Sequence, residues 1–338
     1  MQINDGFMKD NFNKQSRLHF IKWLSELRKK DIFLVGGKGA NLGELYYLGF
    51  PVPHGFCVTT EAFKYFAKRI KLEAKISGVT RSLNINDGQQ LRKISRALRE
   101  FILSQEIPVK IKKEVFEAYQ IFSKKYTEPP WVAIRSSATT EDLPSASFAG
   151  QLDTYLNIRG EKNLIGAVLK CWASLFTEKI ILYREKAGFG HTDASMCVIV
   201  QDMVDSTKSG VMFTANPVTK DRNKILIEAT IGLAESVVGG AATPDAYLID
   251  KTTLKIIEKN IGSKKRIVLR NPIGDGVIKI ETLQGQEMKP CLTTEEIRRV
   301  AELGRQIEVK YKNEPQDIEW AIEKDKFFIL QTRPITTL

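Results

Sequence analysis

The most regular alternation of apolar and polar positions lies near the end of the chain, between residues 316 and 333. The apolar positions recur at period two on two arms: Ile318, Trp320, Ile322, Phe328 and Leu330. A polar segment, 324–326, separates the arms and has a normal hairpin length. The pattern therefore predicts a β-hairpin with one apolar face and a three-residue connection.

The opposite face of this hairpin carries polar side chains that suit a metal and a phosphate. The predicted register places Glu319 opposite Gln331 and Asp317 opposite Arg333, with opposed Cβ atoms about 5 Å apart. Carboxylate and amide oxygens are ligands for Mg²⁺, and a guanidinium fork suits phosphate. The hairpin is therefore a candidate magnesium–polyphosphate site. The alternative is a half-buried hairpin whose outer face is simply solvated.

Other periodic patterns divide the chain into helical and extended parts. Helical spacing or capping predicts helices over 16–30, 40–48, 60–70, 89–103, 108–125, 161–187 and 293–312. Short apolar runs predict strands at 32–35, 131–137, 197–204, 210–217, 224–230 and 246–250, followed by hairpin-like segments to about 288. The polar stretch 71–88 is predicted to be a loop.

A glycine-rich turn at 36–39 follows the predicted strand 32–35 and opens the helix 40–48. Backbone N–H groups at such a helix start, together with the helix dipole, favour an anion. Lys38 would add a positive charge near a bound phosphate. Gly39 follows Lys38 where a Walker A loop has Ser or Thr, so this is not that motif. A tight turn with a surface lysine explains the pattern about as well.

Arg135 ends the strand 131–137 and precedes a long segment, 137–153, rich in Ser, Thr, Ala and Gly. Small side chains with hydroxyl groups are typical of a lid over a ligand, and the guanidinium could reach a phosphate. A structural ion pair of Arg135 with Glu141 or Asp142 is the alternative.

Length and composition exclude several classes of protein. A chain of 338 residues predicts two or three lobes, and no apolar run reaches the ~20 residues of a membrane span. Four widely spaced cysteines and a polar start without an apolar signal core indicate reduced thiols and a cytoplasmic location. The net charge is +11, but basic clusters such as 264–266 are short and scattered, so we expect solvated surface and no nucleic-acid binding.

Four stretches carry a resemblance to a known family: GGKGANLGELYYLGFPVPHGFCVTTEAF, VAIRSSATTEDLPSASFAGQLDTYLNI, CWASLFTEKIILYR and QDIEWAI…FFILQTRPITTL. Over about residues 32–338 the chain resembles the nucleotide-binding domain of the dikinases. These include phosphoenolpyruvate synthase, pyruvate phosphate dikinase and rifampin phosphotransferase. The resemblance implies an α+β, ATP-grasp-like fold with two lobes closing on a nucleotide cleft. The expected division is an N-terminal helical extension (1–30), a first lobe (31–204) and a second lobe (205–338) that carries the metal-binding hairpin.

The resemblance also implies roles for individual residues in binding ATP and Mg²⁺. Phosphate contacts, including the catalytic ones, fall to Lys38, Arg135 and Arg333. Thr154 and Gly150 in the preceding FAGQ loop would cover the phosphates, and Gln201, Met203 and Val204 would receive the adenine. Glu319 and Gln331 would bind Mg²⁺. Asp317 and Glu228 are further candidates, although either residue is open to a structural role.

The family reaction moves the β-phosphoryl group of ATP to a histidine on a swivelling domain, releasing AMP and phosphate. A third domain then passes it to pyruvate or to rifampin. None of His19, His54 and His191 lies in a sequence like the family's GGxTSHAA phosphohistidine motif, and we expect His191 to be a surface or capping residue. The partners are therefore expected to be a phosphohistidine domain and an acceptor-binding domain, on a longer chain or another subunit. A rifampin phosphotransferase domain and a non-catalytic ATP-sensing module remain the alternatives.

Overall fold

The structure is a computed structural model with mixed helices and sheets. It describes residues 18–81, 83–139, 153–235, 243–336 and 338, together with the backbone of 142–143 and 146–147. The chain divides into two compact units: residues up to 40 with 54–202, and residues 41–53 with 203–338. Each unit is considered by itself. In the described residues, no helix is both long and apolar enough to cross a membrane.

The first unit is built on a five-stranded sheet. Its strands, with a separate short pair β4–β5, are β1 (Ile21–Trp23), β2 (Gly55–Val58), β3 (Val132–Ala138), β4 (Asp142–Leu143), β5 (Ala146–Ser147), β6 (Thr154–Ile158) and β7 (Met196–Asp202). The order in the sheet is β1-β2-β7-β3-β6, and every neighbouring pair is antiparallel.

Helices other than α1 cover one face of this sheet. The helices are α1 (Ile32–Tyr47), whose residues from 41 onward belong to the second unit, α2 (Thr60–Arg69), α3 (Leu72–Thr80), α4 (Gly88–Leu103), α5 (Val109–Ser123), α6 (Glu161–Ser174) and α7 (Glu178–Ala187). Alternate strand residues such as Phe56, Ile134 and Val198 join one buried apolar cluster with residues of α2 and α4–α7. Within it, the rings of Phe66 and Trp172 stack with centroids 4.8 Å apart. The opposite face carries Arg135 and Gln201 beside the buried side chains of Cys57 and Ile199, and Gly39 of α1 lies against Cys57 there.

The helix predicted for 16–30 is wrong. The segment forms the edge strand β1 and two short 3₁₀ turns at Leu24–Glu26 and Lys29–Asp31. Ile21 and Trp23 pair with β2. This strand pairing gives the segment backbone hydrogen bonds to β2 that a helix would not make. The apolar positions were nevertheless identified correctly as core: Leu18, Ile21, Trp23, Leu24 and Leu27 are all buried.

Three further expectations in the first unit are wrong. Residues 32–35 are helical and not extended, since α1 runs through them with an interruption at Gly36. The predicted loop 71–88 contains α3. The single helix expected over 161–187 breaks between α6 and α7. At that break the carbonyl of Leu175 accepts from Arg184 Nη2 at 2.6 Å and that of Phe176 from Ser95 Oγ at 2.8 Å, which replaces helical hydrogen bonds.

The second unit is built on a six-stranded antiparallel sheet in the order β11-β10-β9-β8-β14-β15. Its strands, with the separate ribbon β12–β13, are β8 (Lys208–Phe213), β9 (Lys224–Ile231), β10 (Asp245–Asp250), β11 (Ile256–Asn260), β12 (Arg266–Arg270), β13 (Val277–Glu281), β14 (Gln316–Glu323) and β15 (Lys326–Pro334). Helix α8 (Thr294–Lys310) begins with the predicted capping box of Thr293 and Glu296 and packs Gly304 against Met212.

The predicted hairpin register is confirmed, although the predicted connection is wrong. Glu319 pairs with Gln331 and Asp317 with Arg333. The turn has two residues, Lys324 and Asp325, both with positive φ (46° and 64°). A bulge between Glu319 and Trp320 restores the register by adding one residue on β15.

The bulge also changes which apolar residues of β15 face the core. Phe327 and Ile329 are buried at 8% and 1% exposure, in place of the predicted Phe328 and Leu330. On β15, between the turn and the bulge, the inward positions are therefore shifted by one residue from those that the sequence pattern predicted.

A buried ion pair lies where solvated basic surface was predicted. Lys264 and Asp245 are both fully buried and in direct contact. Asp245 also accepts from the backbone N–H groups of Gly262 and Cys291, at 3.1 and 2.7 Å. The pair therefore ties the start of β10 to two later segments of the second unit.

Candidate functional site

Four predicted site residues share one face of the sheet in the second unit. Paired residues on neighbouring antiparallel strands project to the same side. Glu319 pairs with Gln331 on β15 and with Val211 on β8, and Val211 pairs with Glu228 on β9. Glu228 therefore lies on this face as well, two strands from Glu319 and about 10 Å away along the sheet. We call Glu228, Asp317, Glu319, Gln331 and Arg333 the acidic face.

Asp317 and Arg333 form an ion pair within the acidic face. Arg333 Nε lies 2.8 Å and Nη2 2.6 Å from Asp317 Oδ2. The side chain of Asp317 is 11% exposed and that of Arg333 is 35% exposed. The guanidinium is therefore held at a fixed place on the sheet while part of it reaches solvent.

Burial and neighbouring negative charge make Asp317 and Glu228 of the acidic face difficult to ionise. Burial raises the pKa of Asp317 above its usual value and outweighs the opposing effect of Arg333, and the charge of Glu319 raises it further. Burial and the charge of Asp317 also raise the pKa of Glu228. A cation bound at this face would relieve the repulsion, because it stabilises the charged form of each carboxylate.

The donor set of the acidic face fits Mg²⁺ when a phosphate completes the coordination. Mg²⁺ is usually held by one or two carboxylates, waters and substrate phosphates. Glu319 and Gln331 supply two opposed oxygen donors. In the described parts of the chain, no three or more His, Cys, Asp or Glu side chains group closely enough to hold a metal ion alone. The residues therefore fit a metal–nucleotide complex better than an all-protein cage.

In the first unit, the glycine turn is tied to the end of β3. Gly36 has φ 69° and ψ 173°. Ser137 Oγ donates to the carbonyl of Val35 at 2.8 Å and accepts from the N–H of Gly39 at 3.2 Å. Lys38 Nζ lies 3.3 Å from the carbonyl oxygen of Ser136. The turn and its lysine therefore lie beside the strand that carries Arg135.

Three other predicted residues of the first unit share a face of its sheet. Arg135 pairs with Thr154 on β6 and with Ile199 on β7, and Gln201 follows Ile199 by two positions. This is the side opposite the helical core. Gln201 is 1% exposed, and its Nε2 finds no hydrogen-bond acceptor among the described residues. A buried amide donor of this kind is suited to a ligand acceptor.

The remaining predicted site residues are less informative. Met203 and Val204 follow the end of β7 and belong to the second unit, where Val204 is buried and Met203 partly so. Gly150 lies outside the described residues, as do Glu141 and the side chain of Asp142. The alternative ion pairs of Arg135 therefore stay predictions.

Sequence reasoning missed Ser137 and gave Glu228 little weight. Ser137 directly follows Arg135 and Ser136 in the sequence, but it lies far along the chain from the glycine turn at 36–39, so nothing in the pattern links it to Gly36. Glu228 becomes a neighbour of the acidic face only through the strand order. The expectation for His191 is also wrong: this residue is buried at 9% exposure, and its Nε2 lies 2.7 Å from Glu185 Oε1.

The fold and these residues define a class of mixed helix-and-sheet proteins with a lysine-bearing glycine turn and a carboxylate–guanidinium sheet face. Residues 32–338 match the family described as "Pyruvate phosphate dikinase, AMP/ATP-binding domain". The chain belongs to this family.

Curated relatives agree with this assignment. The chain is 46% identical to a "Probable phosphoenolpyruvate synthase" of Pyrococcus horikoshii, covering 94% of this chain and 44% of the relative. It is 45% identical to the "Phosphoenolpyruvate synthase" of Pyrococcus furiosus, with the same coverage. A "Rifampicin phosphotransferase" of Bacillus cereus is 41% identical over 94% of this chain and 36% of the relative. The chain thus spans less than half the length of these relatives.

One solved structure shows only a weak similarity. A D-alanine–D-alanine ligase from Helicobacter pylori aligns with a TM-score of 0.27 and 8% identity, covering 73% of this chain and 63% of the ligase. A similarity at this level carries no argument about the fold.

Proposed function

We propose that this chain is the ATP-binding part of a phosphoenolpyruvate synthase-like dikinase. It binds Mg-ATP and delivers the β-phosphoryl group to a histidine on a separate domain or chain; AMP is released, and water takes up the γ-phosphoryl group, which leaves as phosphate. Pyruvate is the proposed final acceptor, and an ATP-grasp-like fold with two lobes is part of the proposal. The observation that carries it is the acidic face, where Asp317 and Glu319 lie on the same sheet face as Gln331 and Arg333.

In the second unit, Glu319 and Gln331 are the proposed oxygen ligands of Mg²⁺, and phosphate oxygens complete the coordination. Arg333 contacts the transferring phosphoryl group from its fixed place beside Asp317. Asp317 is the residue that orients this guanidinium, and its ionisation is favoured once the metal is bound. Glu228 adds negative charge to the same face and would accept hydrogen bonds from water bound to the metal.

In the first unit, Lys38 and Arg135 are the proposed cationic contacts to the phosphates, and Thr154 and Gly150 belong to the segment that covers them. Gln201 donates its buried amide N–H to a ring nitrogen of adenine, and Met203 with Val204 packs against the base. The unused Nε2 of Gln201 among the described residues supports this part of the proposal.

Phosphoryl transfer requires little covalent chemistry from the protein. Catalysis of this kind consists of holding the attacking group in line and neutralising charge that develops on the phosphate. Lys38, Arg135, Arg333 and the magnesium ligands supply that charge. The attacking group is the ring nitrogen of a histidine on the phosphohistidine domain. This domain and an acceptor-binding domain are the proposed partners. The proposed location is the cytoplasm.

Two other functions compete with this one. Rifampin is the alternative acceptor, favoured by the 41% identity to the Bacillus cereus enzyme. A module that senses ATP without transferring phosphate would need the same binding residues. Supplying a phosphohistidine domain in trans distinguishes transfer from sensing: AMP forms only if the domain takes a phosphoryl group. No AMP at any concentration of that domain would contradict the transfer step while leaving ATP binding intact.

The binding step is tested by calorimetric titration of Mg-ATP into the wild type, Glu319→Ala and Arg333→Ala. Each variant should bind at least tenfold more weakly, a loss of about 1.4 kcal/mol. Glu323→Ala is the matched control, since Glu323 lies on the same strand and side, about 13 Å further along. Equal affinity for Glu319→Ala and Glu323→Ala would refute the assignment of the acidic face.

A further inference from the structure

A cavity of about 680 Å³ lies in the first unit, lined by α2, α3 and the segment before β7. The proposed ATP contacts Lys38, Arg135 and Gln201 are not part of its lining. Its volume falls in the range of small-molecule sites. The apolar part of the lining includes Phe63, Ala67, Leu72, Ile76, Phe176 and Ala194. The cavity therefore has the size and the apolar floor of a ligand site that is separate from the nucleotide residues.

The rim of this cavity is positively charged. Lys64 and Lys68 lie one turn apart on α2, and Lys71 follows the end of that helix. All three are exposed, and Lys64 also pairs with Glu61 at 2.8 Å. Glu73 is the acidic residue of the lining. The excess of lysine favours an anionic occupant, although surface lysines alone would not define a site.

The wall of the cavity contains a buried histidine with an unused ring nitrogen. His191 is 9% exposed and lines the cavity. Its Nε2 lies 2.7 Å from Glu185 Oε1, whereas its Nδ1 is buried and has no hydrogen-bond partner among the described residues. Buried polar atoms without partners are rare in native proteins, so this nitrogen points to a missing ligand.

A buried guanidinium lies behind the same wall. Arg184 is 3% exposed, and its guanidinium lies 5.1 Å from the ring centroid of Phe176, which also lines the cavity. Arg184 Nη2 donates to the carbonyl of Leu175, but Nε and Nη1 have no hydrogen-bond partner among the described residues. Burial lowers the pKa of Arg184 to about 10. Its positive charge therefore persists at neutral pH and favours negative charge nearby.

The protonation of His191 defines what its free nitrogen can do. Burial and the charge of Arg184 lower the pKa of His191, so the ring is neutral near pH 7. The Nε2–H donates to the Glu185 carboxylate, which leaves Nδ1 as a hydrogen-bond acceptor. An occupant must therefore donate a hydrogen bond to Nδ1 and present a negative group to the lysines.

We propose that this cavity binds a small hydroxylated organic anion, such as a sugar phosphate or a sugar acid. A hydroxyl group of the ligand donates to His191 Nδ1, its anionic group lies among Lys64, Lys68 and Lys71, and its carbon skeleton covers the apolar floor. This site is independent of the proposed function, because it shares no residue with the nucleotide contacts.

The test is calorimetric titration of the whole chain with glucose 6-phosphate and with gluconate, which distinguishes phosphate from carboxylate as the anionic group. Glucose alone and sulfate alone are the control ligands, since one lacks the charge and the other lacks the hydroxyl donor. We expect saturable binding of at least one of the two probes, at least tenfold tighter than that of either control ligand.

Variants locate the bound probe. Lys68→Gln and His191→Phe should each weaken probe binding at least tenfold, and Lys179→Gln, an exposed lysine of α7 outside the lining, should leave it unchanged. Arg333→Ala should also leave it unchanged. Probe binding that is lost in Arg333→Ala but kept in Lys68→Gln would overturn the proposal and place the anion with the nucleotide residues. Absence of saturable binding by either probe would overturn it as well.

Discussion

Gly36 offers a sharp test of how the glycine turn is built. Its φ of 69° and ψ of 173° lie in a region that is essentially restricted to glycine. A Cβ at this position would lie 2.3 Å from Ser137 Oγ and 2.5 Å from the Ser137 backbone oxygen. Because the backbone oxygen belongs to β3, the collision cannot be relieved by a side-chain rotation alone. Gly36→Ala should therefore be strained and overpacked at once.

Gly160 separates these two effects. Its φ of 84° and ψ of 155° are similar, but a Cβ there would meet nothing within 4 Å. Gly160→Ala should cost about 1–3 kcal/mol of unfolding free energy from backbone strain alone. Gly36→Ala should lose a further 1–3 kcal/mol, roughly, from overpacking.

Both variants can be compared by denaturant unfolding and by titration with Mg-ATP. We expect Gly36→Ala to be the less stable variant and to bind Mg-ATP at least tenfold more weakly than Gly160→Ala, since the shifted turn moves Lys38. Equal unfolding free energies for the two variants would show that the contact with Ser137 does not constrain the turn. Equal Mg-ATP affinities would show that the turn does not contact phosphate.

Three further predictions concern the second unit. Lys264→Met leaves the buried carboxylate of Asp245 without its cation, so it should lower the free energy of unfolding in urea by about 3–5 kcal/mol. Lys224→Met removes a partly exposed 3.4 Å pair with Asp250 and should lower it by less than about 1 kcal/mol. Similar losses for the two variants would show that burial of the ion pair does not set its contribution. The pKa values of Asp317 and Glu228 are raised in the folded protein. At pH values just above the usual carboxylate pKa range, the metal-free folded state therefore binds more protons than the unfolded state. The free energy of unfolding should therefore fall as the pH rises through this range. The affinity for Mg-ATP should instead rise with pH and should weaken from about pH 7.5 to about pH 5.5, because protons compete with the metal for the carboxylates. If calorimetry gives the Glu228→Gln variant the same pH profile as the wild type, Glu228 takes no part in this competition.

The terminal hairpin shows how far sequence reasoning can reach. Period-two alternation identified both strands, and the pairs 317–333 and 319–331 are observed. The agreement depends on a compensation, because a two-residue turn and a bulge together give the offset expected for a three-residue turn. Alternation alone cannot reveal a bulge, so the inward residues Phe327 and Ile329 were missed.

The failures have a common cause in tertiary pairing. Residues 16–30 have apolar positions at helical spacing, yet the pairing of Ile21 and Trp23 with β2 decides their conformation. Lys264 looked like part of a solvated basic cluster, and only its contact with Asp245 explains its burial. Glu228 joins the acidic face through β8, a neighbour that the strand order alone supplies.

Electron paramagnetic resonance of Mn²⁺ with ATP reports directly on whether the acidic face holds the metal of a metal–nucleotide complex. Mn²⁺ takes the same oxygen ligands as Mg²⁺. We expect the signal of Mn-ATP to change on binding to the wild type and to Glu323→Ala, and to stay that of free Mn-ATP with Glu319→Ala. A bound signal that is unchanged in Glu319→Ala would show that the acidic face does not hold the metal.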